Sequence, residues 1–212
     1  MNERPTLMVS STVYGHEEEL DVIYAILNNM KYEVWMSHKG TVPVFSDKTA
    51  FENCLEAVEK CDLFLGVITP EYGTGIAKGE LSITHQEMKK AIELKKPRWF
   101  LAHDKVVFAR ALLNDLGYKT TEERDALELK SKAKSIGDLR VIQMYEEATM
   151  ENLPLDDRQG NWVQKFIDAP DINLFVMSQF SRYEDINVRL EENFRNINQL
   201  KEKLKSKEGS NA

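Results

Sequence analysis

The run DLFLGVIT at residues 62–69 constrains this 212-residue chain more than any other feature. Its apolar residues do not alternate with polar ones, so a strand built from it buries both faces, as a central strand of a parallel sheet does. The segments around it supply the covering layers. TLMVSST (6–12) predicts a first strand ending in hydroxyl residues, and EEELDVIYAILNNM (17–30) places Leu20, Ile23, Ile26 and Leu27 at helical spacing. YEVWMS (32–37) predicts a second strand. FENCLEAVEKC (51–61) predicts a helix with Ser46 or Asp47 as its cap, a further helix is expected from about Thr84 to Lys96, and PRWFLAH (97–103) is the fourth strand. This βαβαβαβ order implies an α/β fold: a parallel sheet of four or five strands, right-handed crossovers, helices on both faces, and any ligand site at the carboxyl ends of the strands. Ser10, Ser11, Thr12, the 38–46 loop and the 70–87 segment then share one rim.

The second half is less regular. DKVVFARALLNDLG (104–117) and TEERDALELKSKAK (121–134) have helical patterns, LRVIQMY (139–145) suits either a fifth strand or a helix, and ENLPLDDRQGNW (151–162) reads as a loop. Three regions are expected: an α/β domain at 1–117, an irregular helical extension at 118–170 with a possible fifth strand, and a long C-terminal helix at 171–212. Tyr183, Ile186, Leu190, Asn193, Ile197, Leu200 and Leu204 follow a heptad spacing. That pattern fits a coiled coil that joins copies of the chain, or a single amphipathic helix lying on its own domain.

Composition removes several function classes. The net charge of -7 and pI near 5.3 argue against a nucleic-acid partner, because phosphate neutralisation needs clustered Lys and Arg. The longest apolar runs fall far short of the roughly 20 residues that cross a bilayer, so no membrane partner is expected. The two cysteines, Cys54 and Cys61, are two helical turns apart, about 10.5 Å of rise, beyond the roughly 7 Å limit for a disulfide. Reduced thiols and the missing signal-peptide pattern at MNERPTLMVSS point to a cytoplasmic protein. There is no GxxxxGK[ST] and no GxSxG, and the glycines at 73, 75 and 79 have the wrong spacing for a dinucleotide fingerprint. His16, His38, His85 and His103 have no paired-ligand spacing, so no metal is expected.

What remains is LMVSSTVYG near the N-terminus, NCLEAVEKCDLFLGVITPEYG in the middle and SITHQEMKKAIELKKP after it. In this order, over about residues 6–103, they resemble a TIR-like domain family of unknown function that often stands at the N-terminus of bacterial defence and signalling NTPases. The resemblance implies a TIR-like sheet with flavodoxin-like strand order. CDLFLGVITP followed by a Glu-bearing helix and KKP is also similar, more distantly, to the nucleoside deoxyribosyltransferases. By motif position the Glu that enzymatic TIR domains and the deoxyribosyltransferases use at the ribose anomeric carbon is Glu87, and a carboxylate there offsets an oxocarbenium-like charge. Ser10, Ser11 and Thr12 match the segment that holds ribose or phosphate. The implied substrate is NAD or a nucleoside, with no separate cofactor. The sequence departs from the transferases at Cys54, where the second carboxylate is expected, at Leu81 with Ser82 beside it, and at Met8.

Each candidate also has a purely structural role open to it. Thr84-x-x-Glu87 fits a capping box, and Ser10, Ser11 and Thr12 suit the capping of the helix at 17–30. Asp62 begins its strand at the end away from the expected site and reads as structural. His85 is either a polar contact at the rim or a surface histidine, and Tyr72 and Trp35 are either stacking partners for a base or packing residues. The leading expectation is a nucleotide-binding domain, with Glu87 as the catalytic carboxylate and Ser10, Ser11, Thr12, Tyr72, Ser82 and His85 around the ligand. The alternative is a non-catalytic module that self-associates or docks on a partner in defence or signalling.

Overall fold

The run at 62–69 does form a strand buried along its whole length, β3 (Leu63–Ile68). The computed structural model describes residues 4–75, 80–130, 133–182, 185, 186, 188 and 192. β3 lies in an all-parallel sheet with β1 (Thr6–Ser11), β2 (Glu33–Trp35), β4 (Arg98–His103) and β5 (Val163–Phe166), in the order β2-β1-β3-β4-β5. The α-helices among the described residues are α1 (Glu17–Asn29), α2 (Ala50–Lys60), α3 (Ile83–Glu93), α4 (Asp104–Asp115), α5 (Thr121–Asp125), α6 (Arg140–Thr149) and α7 (Ala169–Phe180). The α/β class and the parallel sheet are as the sequence implies.

Alternation along the strands divides the core in two. Leu7 and Val9 of β1 join Leu63, Leu65 and Val67 of β3 against Leu20, Ile23 and Leu27 of α1 and Ile172, Phe175, Val176 and Phe180 of α7. Met8, Phe64, Ile68 and Phe100 face the other way, against Val58 of α2, Met88 and Ala91 of α3, Val106 of α4 and Val141 and Ile142 of α6. Ser10 has the parity of Met8 and therefore faces α2 and α3. Gly66, paired with Ser10 across the sheet, leaves room for aromatic rings: a Cβ there would lie 2.7 Å from the Phe100 ring.

Several local expectations are corrected. At 139–145, where strand and helix were both open, the helix is found: α6 starts after Leu139 and buries Val141, Ile142, Met144 and Ala148. The fifth strand is Val163–Phe166, a short edge strand with one buried residue. The helix expected over 121–134 ends at Asp125, because Leu129 is exposed and the run offers no apolar face to bury. The cap of α2 is Thr49, not Ser46 or Asp47. Its hydroxyl accepts from Glu52 N, and the Glu52 carboxylate accepts from Thr49 N at 2.7 Å. Helix α1 starts after His16 with no side-chain cap, so Ser10, Ser11 and Thr12 do not cap it. Asp62 has the structural role expected of it, accepting from Thr6 N at 2.8 Å. Of the heptad residues only Ile186 is described, and the proposed coiled coil lies otherwise outside the described residues.

Candidate functional site

Strand order reverses between β1 and β3: β2 lies outside β1 on one side, and β4 and β5 extend beyond β3 on the other. In open parallel sheets the crevice at such a switch point, at the carboxyl ends of the strands, is where ligands bind. Ser10 and Ser11 close β1 at that point, and α3 follows β3 from the same end. Glu87, in the second turn of α3, accepts a hydrogen bond from the Ser10 hydroxyl across 77 positions of sequence. Both are buried, Ser10 to 2% and Glu87 to 5% exposure.

Burial pushes the Glu87 carboxyl up to about 7, against the hydrogen bond from Ser10 and the contact with Cys54. The Cys54 thiol of α2 is pushed up to about 12 by burial and by the negative charge of Glu87. It is therefore a neutral thiol, not a nucleophile, at neutral pH. The arrangement is one carboxyl group with a hydroxyl and a thiol. Close to neutral pH such a carboxyl can hold or release a proton, and when ionised it offers charge in a low-dielectric setting.

Ser82, not Thr84, is the N-cap of α3: its hydroxyl accepts from His85 N at 3.3 Å, and the Glu87 side chain plays no part in a capping box. Gly73 ties the rim together. It adopts φ +80°, and a Cβ there would lie 2.9 Å from the Thr12 hydroxyl and 3.8 Å from Ser82 Cβ. Thr12, Gly73 and Ser82 thus meet where β1 and β3 end. Ser11 donates to Thr12 O at 3.1 Å. The 38–46 loop is fastened to α2 instead, with Phe45 N donating to Asn53 Oδ1 at 2.8 Å. Trp35 donates its indole N–H to Glu33.

His85 is wholly buried, which corrects the surface reading. Its Nδ1 lies 2.7 Å from the Tyr72 hydroxyl and its Nε2 2.9 Å from Glu147 Oε2 on α6. Facing a carboxylate, Nε2 carries the proton, and Nδ1 accepts from Tyr72. Burial raises the Tyr72 hydroxyl and so keeps it a donor. Burial also raises Glu147, but the hydrogen bond from His85 and the nearby Lys89 charge bring it below its usual range. Glu147 was not a sequence candidate. It stands 62 positions from His85, on a segment for which strand and helix were both open, so no local signal pointed to it.

A second group gathers on the same rim. His16 Nε2 lies 2.7 Å from Glu71, and its ring packs edge-on against His103 at the end of β4. Among the described residues no three His, Cys, Asp or Glu side chains are placed to share a metal ion. A groove of about 900 Å³ opens at the opposite, amino-terminal rim, and none of the sequence-derived site residues lines it.

The domain of unknown function DUF4062 matches residues 6–207. The chain belongs to the DUF4062 family. The match extends well past residue 103 and takes in α6, β5 and α7, so the family unit includes the helix that supplies Glu147. No curated protein matches the chain. No helix among the described residues is long and apolar enough to cross a membrane.

Proposed function

We propose that this DUF4062 chain is a TIR-like domain that binds a nucleotide such as NAD at the carboxyl rim of β1 and β3, with Glu87 assisting cleavage of its N-glycosidic bond. The observation that carries the proposal is the pairing of Ser10 with Glu87 at the switch point. In the proposed reaction the bond from the anomeric carbon to the base nitrogen breaks, and its electron pair leaves with the base. Nicotinamide departs neutral, and water adds to the oxocarbenium carbon and gives up a proton. The ionised Glu87 offsets the positive charge in between, and the Ser10 hydroxyl orients the carboxylate. Free cysteines fit a cytoplasmic setting. The motif resemblance supports a place beside a defence or signalling NTPase.

Purified protein incubated with NAD and with nucleosides, beside Glu87→Gln, tests this. Release of free base by the wild type and its loss in the variant are expected. Absence of both turnover and binding in the two proteins removes the enzyme reading.

The second reading, a non-catalytic interaction module, is favoured by one observation: Glu87 is 5% exposed and its partners are internal, as in a structural core pair. Light scattering of the full chain against a version ending at Arg182 tests self-association through the C-terminal heptads. An unchanged monomer counts against it.

A further inference from the structure

At the amino-terminal rim, at the opposite end of the sheet from Glu87, Arg98 opens β4 and lines the groove of about 900 Å³. Its guanidinium is held by two backbone carbonyls and the Met150 sulfur, with no carboxylate. Nη1 donates to Lys96 O at 3.2 Å and Nη2 to Gln159 O at 2.6 Å, while Met150 Sδ sits 4.0 Å from Nη2. Gly160, at φ +69°, lies flat against the group: a Cβ there would be 3.1 Å from Cζ. Arg98 enters none of the ion pairs among the described residues. Its Nε is buried with no hydrogen-bond partner. A desolvated cation with an unmatched donor is costly unless an anion meets it.

The walls beside it are apolar, formed by Ile92, Trp99, Met150 and Leu153. The volume is that of a small-molecule site, roughly 300–1,000 Å³. Of the acids at the groove, Asp185 is paired with Arg182 at 3.1 Å and Asp157 is exposed, so neither neutralises Arg98.

We infer that this groove binds a small amphiphilic anion, an apolar body with one carboxylate head, and that Arg98 holds the head. Of the other cations at the groove, Lys95 is exposed, the Lys96 ammonium donates to Glu59 O and Cys61 O, and Arg182 pairs with Asp185, so Arg98 is the cation set against the apolar walls. A dianionic phosphate would place a second charge against apolar walls. The planar fork of donors on a guanidinium also suits a planar carboxylate. This site is separate from the one at Glu87 and does not rest on the nucleotide reading.

Calorimetric titration of the full chain with decanoate and with decan-1-ol tests the inference. Decanoate binds more tightly than the alcohol, and Arg98→Met weakens decanoate by roughly tenfold or more while leaving the alcohol unchanged, the size expected for a charge-assisted hydrogen bond. Leu153→Trp, which fills the groove and leaves Arg98 in place, weakens both probes and decides the matter if Arg98→Met does not fold. Equal affinity of wild type for the two probes overturns the inference. So does binding of neither probe, or unaltered decanoate affinity in either folded variant.

Discussion

Replacing Glu87 by Gln keeps the side chain's shape and removes its titration, and the consequence follows from where the carboxyl sits. Burial holds it up to about 7 in the folded chain, from an ordinary value of 4.5. Between those values the unfolded chain has released the proton that the folded chain retains, so this group's contribution to stability falls as pH rises through the window and levels off above it. The interval from 4.5 to about 7, at about 1.36 kcal/mol per pH unit, amounts to about 3 kcal/mol. Urea unfolding of both proteins at pH about 4 and about 8 measures it. All other groups are common to both proteins, so the difference in stability between variant and wild type isolates Glu87. It is expected to move by about 3 kcal/mol in favour of Glu87→Gln on going to the higher pH. A difference that stays constant with pH refutes the desolvated, proton-holding Glu87 on which the site description depends.

Other perturbations follow from single contacts. Gly66→Ala drives a methyl into the Phe100 ring and is expected to lower stability by about 1–3 kcal/mol; an unchanged thermal midpoint contradicts the close approach at 2.7 Å. Tyr72→Phe leaves His85 Nδ1 buried without a donor, at a cost of about 1–3 kcal/mol. A double-mutant cycle with Glu147→Gln is expected to show coupling of about 0.5–3 kcal/mol, and additive effects contradict the Tyr72–His85–Glu147 chain. Thr49→Ala removes the α2 cap and is expected to cost about 1 kcal/mol in chemical unfolding, whereas no change places the cap elsewhere.

The sheet was legible because β3 is apolar on both faces and its neighbours keep helical or strand period, signals that survive without partners. The rim was legible for the same reason, since chain order alone sends Ser10 and Glu87 to the same end of the sheet. Caps were less so: Ser46, Asp47 and Thr49 are all competent, and so are Ser82 and Thr84, and which one is used depends on where the last loop residue turns. β5 escaped notice because an edge strand of four residues with Gln164 and Lys165 inside it has no long apolar run. The Tyr72–His85–Glu147 chain needs α6 folded over α3, a tertiary arrangement that leaves no mark at any one of the three positions. Nothing in the run KKPR at 95–98 sets Arg98 apart, and only its position against Gly160 and Gln159 shows a partly buried cation without a counter-charge.

The central claim is that a nucleotide sits on the β1 and β3 rim. Amide hydrogen exchange of the full chain with and without NAD tests it most directly, because the two rims of the sheet fall in different peptides. Slower exchange is expected in residues 10–16, 69–75 and 82–87, and Glu87→Gln is expected to show the same protection without turnover. No protection at any concentration, or protection confined to residues 95–99 and 150–160 at the opposite rim, contradicts it.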